Sequence, residues 1–202
     1  RQMCIRDRAS SRMKKPSLSQ LSEDFIYQAN SRSKALILLN DRPMLDYVLY
    51  NAQQAGLQNI YIVIGKEGDL FKTYYGEERA RNMFNGLSIS YVFQHIPEGR
   101  KKPLGTADAV CQSLEQYPEL QENQFVVCNC DNLYSEKAFN LLRSHKSPNA
   151  FINYDRDALE YSQERIESFA LTNGDRYNYL QEIIEKPSAS ESDKYNDKEG
   201  KF

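Results

Sequence analysis

Ile60-Tyr61-Ile62-Val63-Ile64 constrains this chain more than any other stretch: five successive apolar residues, rich in β-branched side chains and closed by Gly65. Successive side chains of a strand point to opposite faces, so an unbroken apolar run implies cover on both. The run is far shorter than the roughly 20 apolar residues that a membrane span needs. Just upstream, Pro43 to Ala55 sets Leu45, Val48, Leu49 and Ala52 on one helical face, with Pro43 suited to a first turn and Gly56 to a C-terminal cap. A helix feeding a doubly buried strand is the repeating unit of a parallel sheet clad in helices.

The alternation continues downstream. Leu87, Ile89, Tyr91 and Phe93 alternate with smaller or more polar residues, a strand pattern that runs into Gln94. Gly105 to Tyr117 is helical in composition, and Phe125 to Cys128 is an apolar strand that should deliver Asp131 at its C-terminal end. Ser135 suits the N-cap of a helix through about His145. Ala150-Phe151-Ile152 should begin a further strand, and Glu167 to Thr172 with Tyr179 to Glu185, split by Asn173-Gly174-Asp175, reads as a hairpin. The expected class is α/β, and 202 residues suffice for one such domain with a sizeable core.

Charge and cysteine content narrow the partners. Lys+Arg 26 against Asp+Glu 28 leaves a net charge of −2, so no global basic field exists to hold a nucleic acid, while local charge still allows a small anionic substrate. Cys4, Cys111, Cys128 and Cys130 lack the density of a disulfide scaffold and the spacing of a paired zinc site. A protein of the reducing cytoplasm, away from the membrane, is expected, with a homo-oligomer left open. Cys128 and Cys130 fall on one face of their strand, where packing is their expected role.

Four places carry residues suited to phosphate or nucleotide chemistry. Ala9-Ser10-Ser11-Arg12-Met13-Lys14-Lys15 offers small side chains, which let backbone N–H groups reach phosphate oxygens, followed by cations. Pro103-Leu104-Gly105-Thr106-Ala107-Asp108-Ala109 is either a proline-fixed turn pressed against a flat base or an ordinary loop-to-helix junction. Asp131, beyond a strand's carboxyl end, is either an oxygen ligand for a hard cation or a turn aspartate. Glu185-Lys186-Pro187 ends a strand with a cation in a proline-stiffened exit.

In their order, Ser11-Arg12-Met13, Lys34-Ala35-Leu36, Arg42-Pro43-Met44-Leu45-Asp46-Tyr47, Gly105-Thr106-Ala107-Asp108-Ala109, Asn129-Cys130-Asp131-Asn132 and Glu185-Lys186-Pro187 resemble the sugar-1-phosphate nucleotidyltransferase family, from about Ala9 to Pro187. The resemblance implies a Rossmann-like, mixed and mainly parallel sheet flanked by helices, with a nucleoside triphosphate over one half and a sugar 1-phosphate over the other. It further implies magnesium on Asp131, Arg12 on the triphosphate, and Lys34 as the second basic position of the signature. Ser10 and Ser11 would line the phosphate loop. Gln94, Pro103, Gly105 and Thr106 fall where that family holds the base, and Lys186, next to Glu185, would hold the sugar phosphate.

The chain also departs from that pattern. Arg8 stands where the signature has a glycine, and Arg1 to Arg8 resembles translated adapter sequence rather than the hydrophobic strand that normally opens the fold, although Met3-Cys4-Ile5 fits the vacated strand position. Residues 9–202 are therefore expected to form a truncated nucleotidyltransferase domain, with a second metal-binding aspartate beyond Phe202. Pro16 to Arg32 lengthens the signature, and Leu18, Leu21, Phe25 and Ile26 suit a short helix there. Two other readings stay open: a cytidylyltransferase for another phosphorylated acceptor, because Ser10-Ser11-Arg12-Met13 has that resemblance too, and a non-catalytic module that binds a nucleotide sugar.

Overall fold

A sheet whose strands are apolar on both faces must be covered on both, and this requirement organises the chain. The structure, a computed structural model, describes residues 2–6, 33–65, 68–77, 83–155, 158–185 and 187–188. It divides into two compact units, Arg1–Lys146 and Ser147–Phe202.

In the first unit the strands β1 (Gln2–Arg6), β4 (Asn59–Ile64), β5 (Met83–Phe84), β6 (Leu87–Phe93) and β7 (Phe125–Asn129) form one sheet in the order β5-β6-β4-β1-β7. β6, β4, β1 and β7 run parallel, and only the short β5 is antiparallel to its neighbour. The strand position left to Met3-Cys4-Ile5 is thus filled, between β4 and β7, with Met3 and Cys4 buried. A two-stranded ribbon, β2 (Leu38–Leu39) with β3 (Arg42–Pro43), precedes the first α-helix.

Two cores lie on the two faces. Ile60, Ile62 and Ile64 of β4 pack with Leu45, Val48, Leu49 and Ala52 of α1 (Met44–Gln54), Phe71 and Tyr75 of α2 (Asp69–Tyr75) and Phe139 of α4 (Glu136–Ser144). Tyr61 and Val63 point the other way, into a core shared with Cys4, Val92 and Ala109 of α3 (Thr106–Gln116). The unbroken apolar run therefore serves both layers, as its pattern required. Helix ends follow the sequence closely. Gly56 takes a φ of 77° just past α1, and the Ser135 hydroxyl accepts a hydrogen bond from the Ala138 amide at the start of α4.

Several expectations need correction. Pro43 lies one residue before α1 and pairs in β3 rather than opening the helix. β6 alternates in sequence yet serves both cores: Leu87, Ile89 and Tyr91 enter one and Val92 the other, because helices cover both faces of the sheet. β7, apolar in sequence, ends the sheet among the described residues, and Val127 is 40% exposed. In the second unit Ala150-Phe151-Ile152 joins no ladder among the described residues. Glu167 ends a helix, α5 (Gln163–Glu167), and the hairpin is β8 (Leu171–Gly174) with β9 (Leu180–Ile184). Its turn is moved on by Asp175, whose carboxylate accepts from the Tyr177 and Tyr179 amides and so takes Asn173 and Gly174 into the ladder.

Candidate functional site

The four parallel strands direct their C-terminal ends to a single sheet edge, and the described candidate residues of the first unit gather there. Lys34 opens a short 3-10 turn, Lys34–Leu36, capped by Ser33, whose hydroxyl accepts from the Ala35 amide. Its Nζ lies 3.8 Å from Oδ2 of Asp131, two residues beyond β7, and both side chains are about four-fifths shielded from solvent. Two residues 97 apart in sequence thus meet as an ion pair.

Tyr134 braces the loop that carries Asp131. Its backbone carbonyl accepts from Asn51 Nδ2 of α1, its ring packs against Phe139, and its hydroxyl accepts from the Asn129 amide and from Asn132 Nδ2. Burial pushes that phenol above its ordinary range, which keeps it neutral. Asp131 is consequently held by backbone tied to a helix and to the strand end, a rigid mount for a ligand.

The second cluster lies at the end of β6. Gln94 continues the ladder through its amide to Ile64 O, and its side-chain Nε2 donates to Gly105 O at 3.1 Å and to Asp108 Oδ2 at 2.6 Å. Asp108 Oδ2 also accepts from Gln112 Nε2, and Gln112 clasps the His95 backbone, accepting from its N–H and donating to its carbonyl. One turn on, Gln116 does the same to Phe93. Gly105 has a fully extended φ of 178°, which any residue adopts, and a Cβ there would touch nothing within 4 Å. Pro103 and Thr106, flanking it, are half-buried.

β6 and β7 are separated by β4 and β1, three strand spacings or about 14 Å along the edge. At the end of β4, between them in the strand order, a Cβ on Gly65 would also meet nothing within 4 Å among the described residues. The edge thus offers a flat, glycine-bearing turn at one end and a paired cation and carboxylate at the other. A hard divalent cation bound through one or two carboxylates plus phosphate oxygens fits the Asp131 end. Among the described residues no group of three or more His, Cys, Asp or Glu offers an all-protein cage.

Ser10, Ser11, Arg12 and Lys186 lie outside the described residues, as does the segment Pro16 to Arg32. Glu185, just past β9 in the second unit, is exposed. Cys128 and Cys130 are buried in one core, in the packing role read from their spacing. Asp108 and Gln112 were not singled out from the sequence. Their i, i+4 spacing on a helix whose mouth is Gly105 is the signal that points to them.

A mainly parallel sheet between helix layers, with its polar residues on the carboxyl edge, defines a Rossmann-like α/β protein built to hold a ligand across strand ends. The chain belongs to the nucleotidyl transferase family, which it matches over residues 29–200. It is 24% identical over 101 residues to the D-glycero-alpha-D-manno-heptose 1-phosphate guanylyltransferase of Aneurinibacillus thermoaerophilus, a match that covers 50% of this chain and 38% of that protein. Its fold is similar to that in the crystal structure of UDP-glucose pyrophosphorylase complexed with UDP-glucose, with a TM-score of 0.60, 15% identity, and coverage of 92% of this chain and 69% of that one. Among the described residues no helix is long and apolar enough to cross a membrane.

Proposed function

We propose that this chain is the catalytic portion of a cytoplasmic enzyme that joins a nucleoside triphosphate to a sugar 1-phosphate, giving a nucleotide sugar and pyrophosphate. The observation that carries this reading is the ion pair of Lys34 with Asp131 on the same strand-end edge as the Gln94–Gly105 turn. The base would lie on the turn and the phosphates at the charged end, a separation that a nucleoside triphosphate spans. The names of the relatives above are in keeping with it.

In the proposed reaction an oxygen of the sugar phosphate attacks the α-phosphorus in line, and the bond to the bridging oxygen of the β-phosphate breaks. No protein nucleophile is required, so the protein supplies position and charge. Magnesium, when bound, would neutralise and orient the α-phosphate. Asp131 would hold that ion, together with phosphate oxygens. Lys34, beside Asp131, would offer its ammonium to the triphosphate. By resemblance, Arg12 would bind the departing pyrophosphate and Lys186 the attacking phosphate.

Exchange of radiolabelled pyrophosphate into the triphosphate, with and without sugar 1-phosphate, tests the reading. Asp131→Asn keeps the shape and removes the charge, so turnover should fall at least about a hundredfold while the thermal midpoint barely moves. Near-normal exchange together with a stability loss of roughly 1 kcal/mol would make Asp131 a turn aspartate and nothing more.

A further inference from the structure

Resting on the nucleotide reading above, we propose that Asp108 is a positioning residue that fixes the face Gln94 shows to the base, and so selects bases with a ring N–H: uracil, thymine or guanine rather than cytosine or adenine. A glutamine amide has two N–H donors and one acceptor oxygen, and which end faces a ligand depends on what holds the other. Here both donors are taken. Gly105 O and Asp108 Oδ2 receive one each, and neither atom can donate in return. A flipped amide would set an oxygen against a carbonyl and a carboxylate, so the orientation is dictated by chemistry.

Asp108 is itself held. Its Oδ2 also accepts from Gln112, whose amide is locked onto both backbone groups of His95. The circuit from His95 through Gln112 and Asp108 to Gln94 and Gly105 joins the end of β6 to the first turns of α3. What remains is Gln94 Oε1, for which no hydrogen bond is seen among the described residues. It belongs to the amide anchored at Gly105, where even a Cβ would meet nothing within 4 Å among the described residues. A lone acceptor there welcomes the ring N–H of uracil, thymine or guanine. Cytosine and adenine place a ring acceptor at the same position, lone pair against lone pair.

Calorimetric titration of the full chain with UTP, dTTP, GTP, CTP and ATP, each with magnesium, tests this within size-matched pairs. UTP should bind at least about tenfold tighter than CTP, or GTP than ATP if the site takes purines, the scale of one hydrogen bond gained against one acceptor left unpaired. Asp108→Asn gives residue 108 a donor that can reach Gln94 Oε1 and turn the amide over, so the preference should shrink to within about threefold. A merely structural role predicts equal weakening for every base, which would overturn the proposal. So would tight wild-type binding of CTP over UTP or ATP over GTP, a result that needs no variant to fold. Absence of binding by any of the five would instead overturn the nucleotide reading, and this inference with it.

Discussion

Burial, at the scale of single residues, separates four cysteines that look alike in the sequence. Cys4, Cys128 and Cys130 are buried, whereas Cys111 is exposed on α3. Burial pushes the Cys4 and Cys128 thiols up, an effect that the Ser113 hydroxyl beside Cys4 offsets only in part. Thiolate is the reactive form, so iodoacetamide at pH 8 should label Cys111 first and reach the other three only in denaturant. Mass spectrometry of the labelled peptides checks this, and Cys128 reacting as fast as Cys111 would contradict it. The sign of the pH dependence follows. The native state keeps its proton on a thiol that the unfolded chain gives up near the ordinary value of 9.0, so stability is full below that pH and declines above it. The packing role was legible because Cys128 and Cys130 are two apart where β7 ends. The exposure of Cys111 was not, since it depends on which side of α3 meets the sheet.

Among the elements, β1 makes the largest demand on the fold, because it alone joins β4 to β7. Met3 is fully buried in the core that α1, α2 and α4 also line, so Met3→Ala should cost about 2–5 kcal/mol in a urea titration. A loss below 1 kcal/mol would mean that the sheet holds without this strand packed in it. Elements with a strong period were readable: α1 from its four apolar residues, β4 from its unbroken run, α4 from Ser135. Those set by neighbours were not. β6 alternates in sequence yet is buried on both faces because helices cover both, and the hairpin turn moved because the Asp175 carboxylate gathers two amides. Ala150-Phe151-Ile152 has the composition of a strand and no ladder among the described residues to join.

For the molecule as a whole, the sheet edge is the level at which the candidate site becomes coherent. Lys34 and Asp131 could be named from motifs, but their meeting depends on a turn before α1 reaching the end of β7. The tie between Gln94 and Asp108 was hidden in the same way, because it needs a strand end laid against the first turns of a helix. If both clusters hold one ligand, magnesium with a nucleoside triphosphate should slow hydrogen exchange at two separated places, near Gln94 to Thr106 and near Asn129 to Tyr134. At a hundred times the dissociation constant, the unfolding free energy should also rise by about 2.7 kcal/mol. Protection confined to one of the two places would divide the site.

The glutamines of α3 bear on how the sheet is finished at the end of β6. Beyond the reach of β5, the outward N–H and C=O groups of Phe93 and His95 would form a bare ribbon inviting a foreign strand to add on. Gln116 and Gln112 answer those four groups with side-chain amides, so a helix furnishes the rungs that a further strand would have supplied. Because an amide side chain ends where it bonds, it offers no second ladder on its far side. Growth of the sheet by edge-to-edge stacking, the route to aggregates, therefore stops there without the chain having to spend another strand.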